Sequence, residues 1–186
     1  MSKSWYFYKD GKLEQIDKYR DGKRIYYVTF HPNGEKRKEV TIKDGKVDGL
    51  STWWRENGQK EMEGTYKDDE TDGPWIWWRE NGQKEKEGTY REGKFDGPWI
   101  WWDKEGKLKR KSVYKNGKEI SCTTFSRHPN GNQESERHYE NDKLNGPSTW
   151  WHDNGQKEVE AMYRDGKQIE PTVKRWNRDG SPETLK

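Results

Sequence analysis

The residues able to do chemistry are few and scattered. The four histidines stand at His31, His128, His138 and His152, and no pair of them has the His-x-x-x-His spacing that brings two ring nitrogens onto one metal. The single cysteine, Cys122, excludes an intrachain disulfide and a cysteine-based zinc cluster. No motif beside it supplies the base or positive charge that a thiolate nucleophile needs. His31-Pro32-Asn33-Gly34 and His128-Pro129-Asn130-Gly131 look alike, yet both fill a slot that Arg-Glu-Asn-Gly fills elsewhere, which makes them turn residues. Carboxylates abound, but they recur with lysine at fixed offsets, as on a solvated sheet face. The glycines close hairpins and do not open helices, so they form no phosphate-cradling loop. The expectation is a non-enzyme with no catalytic residues, no metal, no cofactor and no small-molecule substrate.

One residue type is over-supplied instead. Twelve tryptophans and ten tyrosines sit in 186 residues whose mean hydropathy is −1.61. Ile, Leu, Val and Phe together number only 22, too few for an ordinary core. A large aromatic buries roughly 150–250 Å², about 4–6 kcal/mol each, so an aromatic core takes its place. Lys and Arg total 37 against 34 Asp and Glu, for a net charge of +3. Interspersed signs of this kind lack the concentrated positive stripe that nucleic acid demands. The opening MSKSWYFYKD has no apolar run of a secretion signal, and no segment approaches the ~20 apolar residues of a membrane span. A cytoplasmic protein that binds neither nucleic acid nor membrane is expected.

The elements that position these aromatics are repeats. Gly11, Gly34, Gly58, Gly82, Gly106, Gly131, Gly155 and Gly180 recur at intervals of 23 to 25 residues. Between them runs a second punctuation at Gly22, Gly45, Gly93, Gly117 and Gly166, with Asp69 and Asp142 in the matching slots. Two turns per unit mean two strands per unit. Four residues before the first glycine stands Phe7, Phe30, Trp54, Trp78, Trp102, Trp151 or Trp176; the sixth unit has Arg127 there, with Phe125 displaced by an insertion. Short strands rich in Trp, Tyr and Thr between Gly and Pro predict a β-meander.

A three-residue loop at Glu80-Asn81-Gly82, its glycine left-handed, sets Trp78 opposite Lys84 and Trp77 opposite Glu85. Strict alternation and a like loop at Arg91-Glu92-Gly93 then put Ile76, Trp78, Lys86, Gly88 and Tyr90 on one face, with Trp75, Trp77, Glu85, Glu87 and Thr89 on the other. Small or apolar residues in the Lys86 and Gly88 slots of other units mark the Trp78/Tyr90 face as the packed one. Pro74 and Pro98 each remove a ladder donor and bend the strand locally. The 25-residue intervals require an irregularity near residues 120–130 and again near 170.

The segment EGTYREGKFDGPW, residues 87–99, resembles the MORN repeat. The Trp-x-x-Asn-Gly-Gln-Lys rhythm ending in Tyr at 54–66, 78–90 and 151–163 is more similar to the bacterial MORN-repeat-variant family. The resemblance implies an all-β fold, an elongated single-layer antiparallel meander of repeated β-hairpins of about 24 residues per unit. It implies one repeat domain over residues 1–186: degenerate capping units at 1–47, regular repeats at 48–119, further repeats with an insertion at 120–169, and a partial repeat at 170–186. It also implies a role, since many members of the variant family are labelled antitoxins or immunity proteins, whereas MORN repeats proper are associated with scaffolding and phospholipid contact.

Trp53, Trp77, Trp101 and Trp150, joined by Trp75 and Trp99, are thus expected to form an exposed aromatic ladder rimmed by Glu61, Glu63, Glu85 and Glu87. With the resemblance, this points to a cognate protein toxin as partner. The alternatives are an interaction scaffold or phospholipid-contacting module and, with less support, a carbohydrate-binding platform.

Overall fold

The computed structural model describes residues 1–183; residues 184–186, the end of the expected C-terminal partial repeat, lie outside the described residues. The chain is all-β. Its strands are β1 (Ser2–Phe7), β2 (Leu13–Arg20), β3 (Lys23–Phe30), β4 (Lys36–Lys43), β5 (Lys46–Trp54), β6 (Lys60–Lys67), β7 (Glu70–Trp78), β8 (Lys84–Arg91), β9 (Lys94–Trp102), β10 (Leu108–Lys115), β11 (Lys118–Arg127), β12 (Gln133–Glu140), β13 (Lys143–Trp151), β14 (Lys157–Arg164), β15 (Lys167–Gln168) and β16 (Lys174–Arg175). They form one meander sheet in chain order from β1 to β15, with β16 beside β14.

Two kinds of turn alternate. After β2, β4, β6, β8, β10, β12 and β14 the chain reverses through two residues, such as Asp44-Gly45 or Asp68-Asp69, both with positive φ. That is the mark of the tight hairpin turn whose twist matches that of the strands. The other turn fills the five residues between strands, of which the outer two pair with each other and close a loop of three. In residues 79–83 the Arg79 N–H donates to the Gln83 carbonyl at 2.8 Å, the Gly82 N–H to the Arg79 carbonyl at 3.0 Å, and the Gln83 N–H to Asn81 Oδ1 at 3.0 Å. Gly82 there has φ +80°, so the three-residue reading of Glu80-Asn81-Gly82 holds. The second turn is one residue shorter than expected.

The first compact unit holds residues 1–97 and 104–106. Its strands carry two recurring register shifts. Trp78 lies opposite Lys84 as expected, but Trp77 lies opposite Lys86, leaving Glu85 as an extra residue. The second shift lies between Gly64 and Tyr66, opposite the segment Asp72-Gly73-Pro74, where Gly73 has φ +107°. This is the local bend expected at the Gly-Pro pairs.

The bulge at Glu85 corrects the assignment of faces. One inserted residue moves every later side chain of β8 to the opposite side, so Trp75, Trp77, Lys86, Gly88 and Tyr90 share one face, and Ile76, Glu87 and Thr89 the other. The packed face is therefore that of Trp75, and the expectation that Trp75 and Trp77 stand outward is overturned. Its central column runs Val40, Ser51, Gly64, Trp75 across β4 to β7, and these four are buried.

The second unit, residues 98–103 and 107 onward, repeats the scheme with Trp99, Ser112, Ser135, Ser148 and Ala161 buried. The expected irregularities appear in it. β11 is one residue longer than β9, at 10 residues against 9, and the register of β10 with β11 shifts between Val113 and Tyr114. Near residue 170 the chain leaves the sheet after the short β15 and returns as β16 against Val159 and Glu160 of β14.

Candidate functional site

In the first unit the aromatic face is built around Trp75. It lies flat on Gly64, where an added Cβ would stand 2.0 Å from an indole carbon. The small residue opposite each such tryptophan is thus a steric necessity. The Trp75 Nε1–H donates to the Thr65 carbonyl at 3.0 Å, which gives the indole its polar partner. Trp77 stacks on Trp75 with ring centroids 5.4 Å apart, and Trp53 flanks it at 5.7 Å. Tyr66 and Tyr90 meet its ring edge-on at 5.2 and 5.8 Å. Burial raises the pKa of both phenols, each neighbouring tyrosine adding to the effect, so their hydroxyls stay protonated near neutrality. Lys86 Nζ sits 4.3 Å above the Trp77 ring and Lys38 Nζ 5.1 Å above Trp53, a lysine roof over each outer indole.

The second unit has Trp99 stacked on Trp101 at 5.8 Å, with Tyr114 edge-on, and Trp150 beside Tyr163 at 6.0 Å. Trp75 and Trp99 keep only 4% and 0% of their surface exposed. They are core residues, which corrects their place in an outward ladder. Trp53, Trp77, Trp101 and Trp150 are half-buried.

The expected carboxylate rim is also rearranged. Glu63 and Glu87 lie on the opposite face, paired with Lys60 and Lys84 at 2.5 Å, while Glu61 and Glu85 reach Arg55 and Arg79 at 2.8 and 3.3 Å. On that face Trp54, Trp78 and Trp176 each carry a lysine, Lys36, Lys60 and Lys157 respectively, 5.3 to 5.7 Å above the ring.

The histidines hold a role that turn chemistry alone does not describe. His31 Nε2 donates to the Trp54 carbonyl at 2.8 Å, His128 Nε2 to Trp151 at 2.7 Å and His152 Nε2 to Trp176 at 3.0 Å. Tyr8 Oη and the Arg55 guanidinium make the same reach to Phe30 and Trp78. Each is a staple from one repeat to the aromatic strand end of the next. The signal available in sequence was the constant offset of these donor-bearing side chains from the aromatic.

The aromatic row is interrupted at β11. Arg127 lies opposite Gln133 and Ser126 opposite Ser135, the pattern of Trp78 and Trp77 with Lys84 and Lys86, so Thr124 occupies the slot of Trp75. Beside it a hollow of ≈ 300 Å³ opens between Arg110, Glu119, Cys122, Thr124, Tyr139 and Asp142. Arg110 donates to Glu119 Oε2 at 2.6 Å and to Ser112 Oγ at 2.9 Å. Burial opposes the Glu119 charge, but hydrogen bonds from Arg110 and Ser112 and the guanidinium charge outweigh it and lower its pKa. Burial, chiefly, raises the pKa of the Cys122 thiol, so at neutral pH the sulfur is an uncharged wall.

Residues 47–68, 71–92, 95–116 and 144–165 each match the family model described as MORN repeat variant. Four segments of the chain are thus similar to MORN-variant repeats. Each MORN-variant repeat is one long hairpin; the second, 71–92, takes in nearly all of β7 and all of β8. Residues 117–143, between the third and fourth matched segments, hold β11 and β12, a pair that, like β3 and β4, lacks tryptophan. No curated protein matches the chain. Among solved structures it is similar to one described as the crystal structure of TcdB2-TccC3-Cdc42, at 9% identity over 93% of this chain, with a TM-score of 0.29. Another, TcdB2-TccC3-TEV, gives 10% identity over 99% and a TM-score of 0.32. The chain spans 12% and 13% of the length of those two chains, and likeness at this level carries no argument about function.

Proposed function

We propose that this MORN-variant repeat protein is a non-enzymatic, protein-binding scaffold, and that the partner is a cognate toxin which it neutralises in the cytoplasm as an immunity protein or antitoxin. The supporting observation is the second indole row: Trp53 and Trp77 in the first unit, Trp101 and Trp150 in the second, all half-buried. Trp77 rests on buried Trp75, and Trp101 on buried Trp99. A tryptophan held rigid from below and reachable from above loses little entropy on binding, which makes it an interface anchor. Lys38 and Lys86 give the first unit's row a cationic fringe suited to an acidic, aromatic-bearing partner surface. Trp75 and Trp99 serve that surface as support. The toxin reading adds to this geometry only the resemblance to a family rich in immunity proteins. A lipid-contacting role has less support, because Lys36, Lys60, Lys84 and Lys157 are each neutralised by a glutamate three residues on.

Co-expression with the product of the neighbouring gene tests the proposal. A stable complex and relief of that product's toxicity are expected. Replacing Trp77 and Trp101 together by Ala is expected to weaken the complex at least about tenfold while the far-ultraviolet circular dichroism stays unchanged. Absence of a complex, or toxicity undiminished in its presence, overturns the toxin reading.

A further inference from the structure

Thr124 of β11 stands, on the β12 side, in the slot that Ser51 fills in β5 and Ser148 in β13; what sets β11 apart is a hollow lined by polar groups that are incompletely satisfied. Glu119 Oε1 and Thr124 Oγ1 are buried without a hydrogen-bond partner among the described residues. Buried polar atoms in folded proteins are nearly always partnered, so orphans grouped at a hollow mark a missing occupant. Glu119 Oε1 can only accept, and the Thr124 hydroxyl can accept as well as donate; the nearby unpartnered donor, Arg137 Nε, belongs to a side chain outside the lining. Arg110, the only cation lining the hollow, is already held by Glu119 Oε2 and Ser112, and Arg137, opposite Thr124 in β12, does not line it. Asp142 stands exposed at the rim in the second position of a tight turn, with φ 63°, and has no ion pair among the described residues. The formal charge of the lining is therefore −1, from Arg110 against Glu119 and Asp142. Tyr139 adds an aromatic wall, the surface on which a guanidinium or ammonium rests favourably.

We propose that this hollow is a binding site for a positively charged side chain, arginine above all, presented by the partner protein. Its guanidinium donates to Glu119 Oε1 and Thr124 Oγ1, stacks against Tyr139 and is balanced by Asp142. This deepens the protein-binding reading above and rests on it for the identity of the occupant. Lysine offers the charge without the fork that reaches both orphans at once.

The test uses the full chain, isotopically labelled, titrated with Nα-acetyl-arginine amide and, separately, with the neutral isostere Nα-acetyl-citrulline amide, while amide resonances are followed. Shifts confined to the neighbourhood of Cys122, Thr124, Tyr139 and Asp142 are expected with the arginine probe, at an affinity on the order of millimolar, and absent with citrulline. Asp142→Asn is expected to weaken the response several-fold. Thr124→Val, which removes the hydroxyl oxygen at nearly constant volume, is expected to weaken it several-fold while retaining cooperative unfolding. Equal responses to the two probes, no response to either, or an undiminished response in Thr124→Val overturns the site. Because the probe titration needs no partner, its failure with the protein complex intact removes this inference alone. A positive titration with no complex leaves the cation site standing and removes the proposed partner.

Discussion

At the residue scale the decisive contact is between an indole and a residue with no side chain. Trp75 can lie against the sheet only because Gly64 opposite it offers bare backbone. Gly64→Ala forces the ring off the face and is expected to cost about 1–3 kcal/mol, the usual range for overpacking. Gly45, with nothing within 4 Å of its added Cβ but with φ +86°, is the informative comparison. Gly45→Ala is expected to cost about 1–2 kcal/mol through backbone strain, and, unlike Gly64→Ala, to leave the Trp75 indole resonance where it was. Urea unfolding combined with indole N–H spectra separates the two mechanisms. Equal indole spectra in the two variants would mean that Gly64 is a turn-type glycine and not a seat for the ring. The pairing of a large ring with a small cross-strand residue was written in the sequence as Gly64 and Gly88 on either side of Trp75, but its meaning depends on register.

At the scale of elements, register was the part that sequence patterning did not deliver. The period, the two turns per unit, the left-handed Gly82 and the Trp78 to Lys84 pairing were all readable, because glycine, asparagine and aromatic spacing encode them directly. The bulge at Glu85 was not, since an inserted residue carries no type of its own: Glu85 looks like any exposed strand residue. Parity then propagated the difference to Tyr90, and the packed face was assigned to Trp78 in place of Trp75. The second turn, two residues instead of three, was missed for a related reason, as Arg91-Glu92-Gly93 and Glu92-Gly93 read equally well before positive φ at both Glu92 and Gly93 distinguishes them. The hollow at β11 was visible only as an insertion that displaced Phe125. Deleting Glu85 removes the bulge and is expected to abolish cooperative unfolding of the first unit. Glu85→Ala, which loses only the exposed pair with Arg79, is expected to cost under about 1 kcal/mol. Similar stabilities for the deletion and the substitution would show that the bulge does not set the register.

At the scale of the whole molecule, the chain makes a folded protein from little aliphatic material by giving the aromatic face of each unit two duties. The inner indoles, Trp75 and Trp99, replace an ordinary core, and the outer indoles, Trp53, Trp77, Trp101 and Trp150, remain reachable from solvent. The staples from Tyr8, His31, Arg55, His128 and His152 tie each repeat to the next within its unit, so that stability is distributed along the chain, as nearest-neighbour repeats require. Thr124 lies where a distinct polar site appears. All of this depends on Trp75, Trp77, Tyr66 and Tyr90 sharing a face. The most direct measurement is the nuclear Overhauser pattern of the labelled full-length chain together with the exchange rate of the Trp75 indole proton. Cross-peaks from Trp75 to Tyr66 and from Trp77 to Tyr90, with a slowly exchanging Trp75 indole N–H bonded to Thr65, are the predicted result. Cross-peaks from Trp78 to Tyr90 with a freely exchanging Trp75 indole would contradict it.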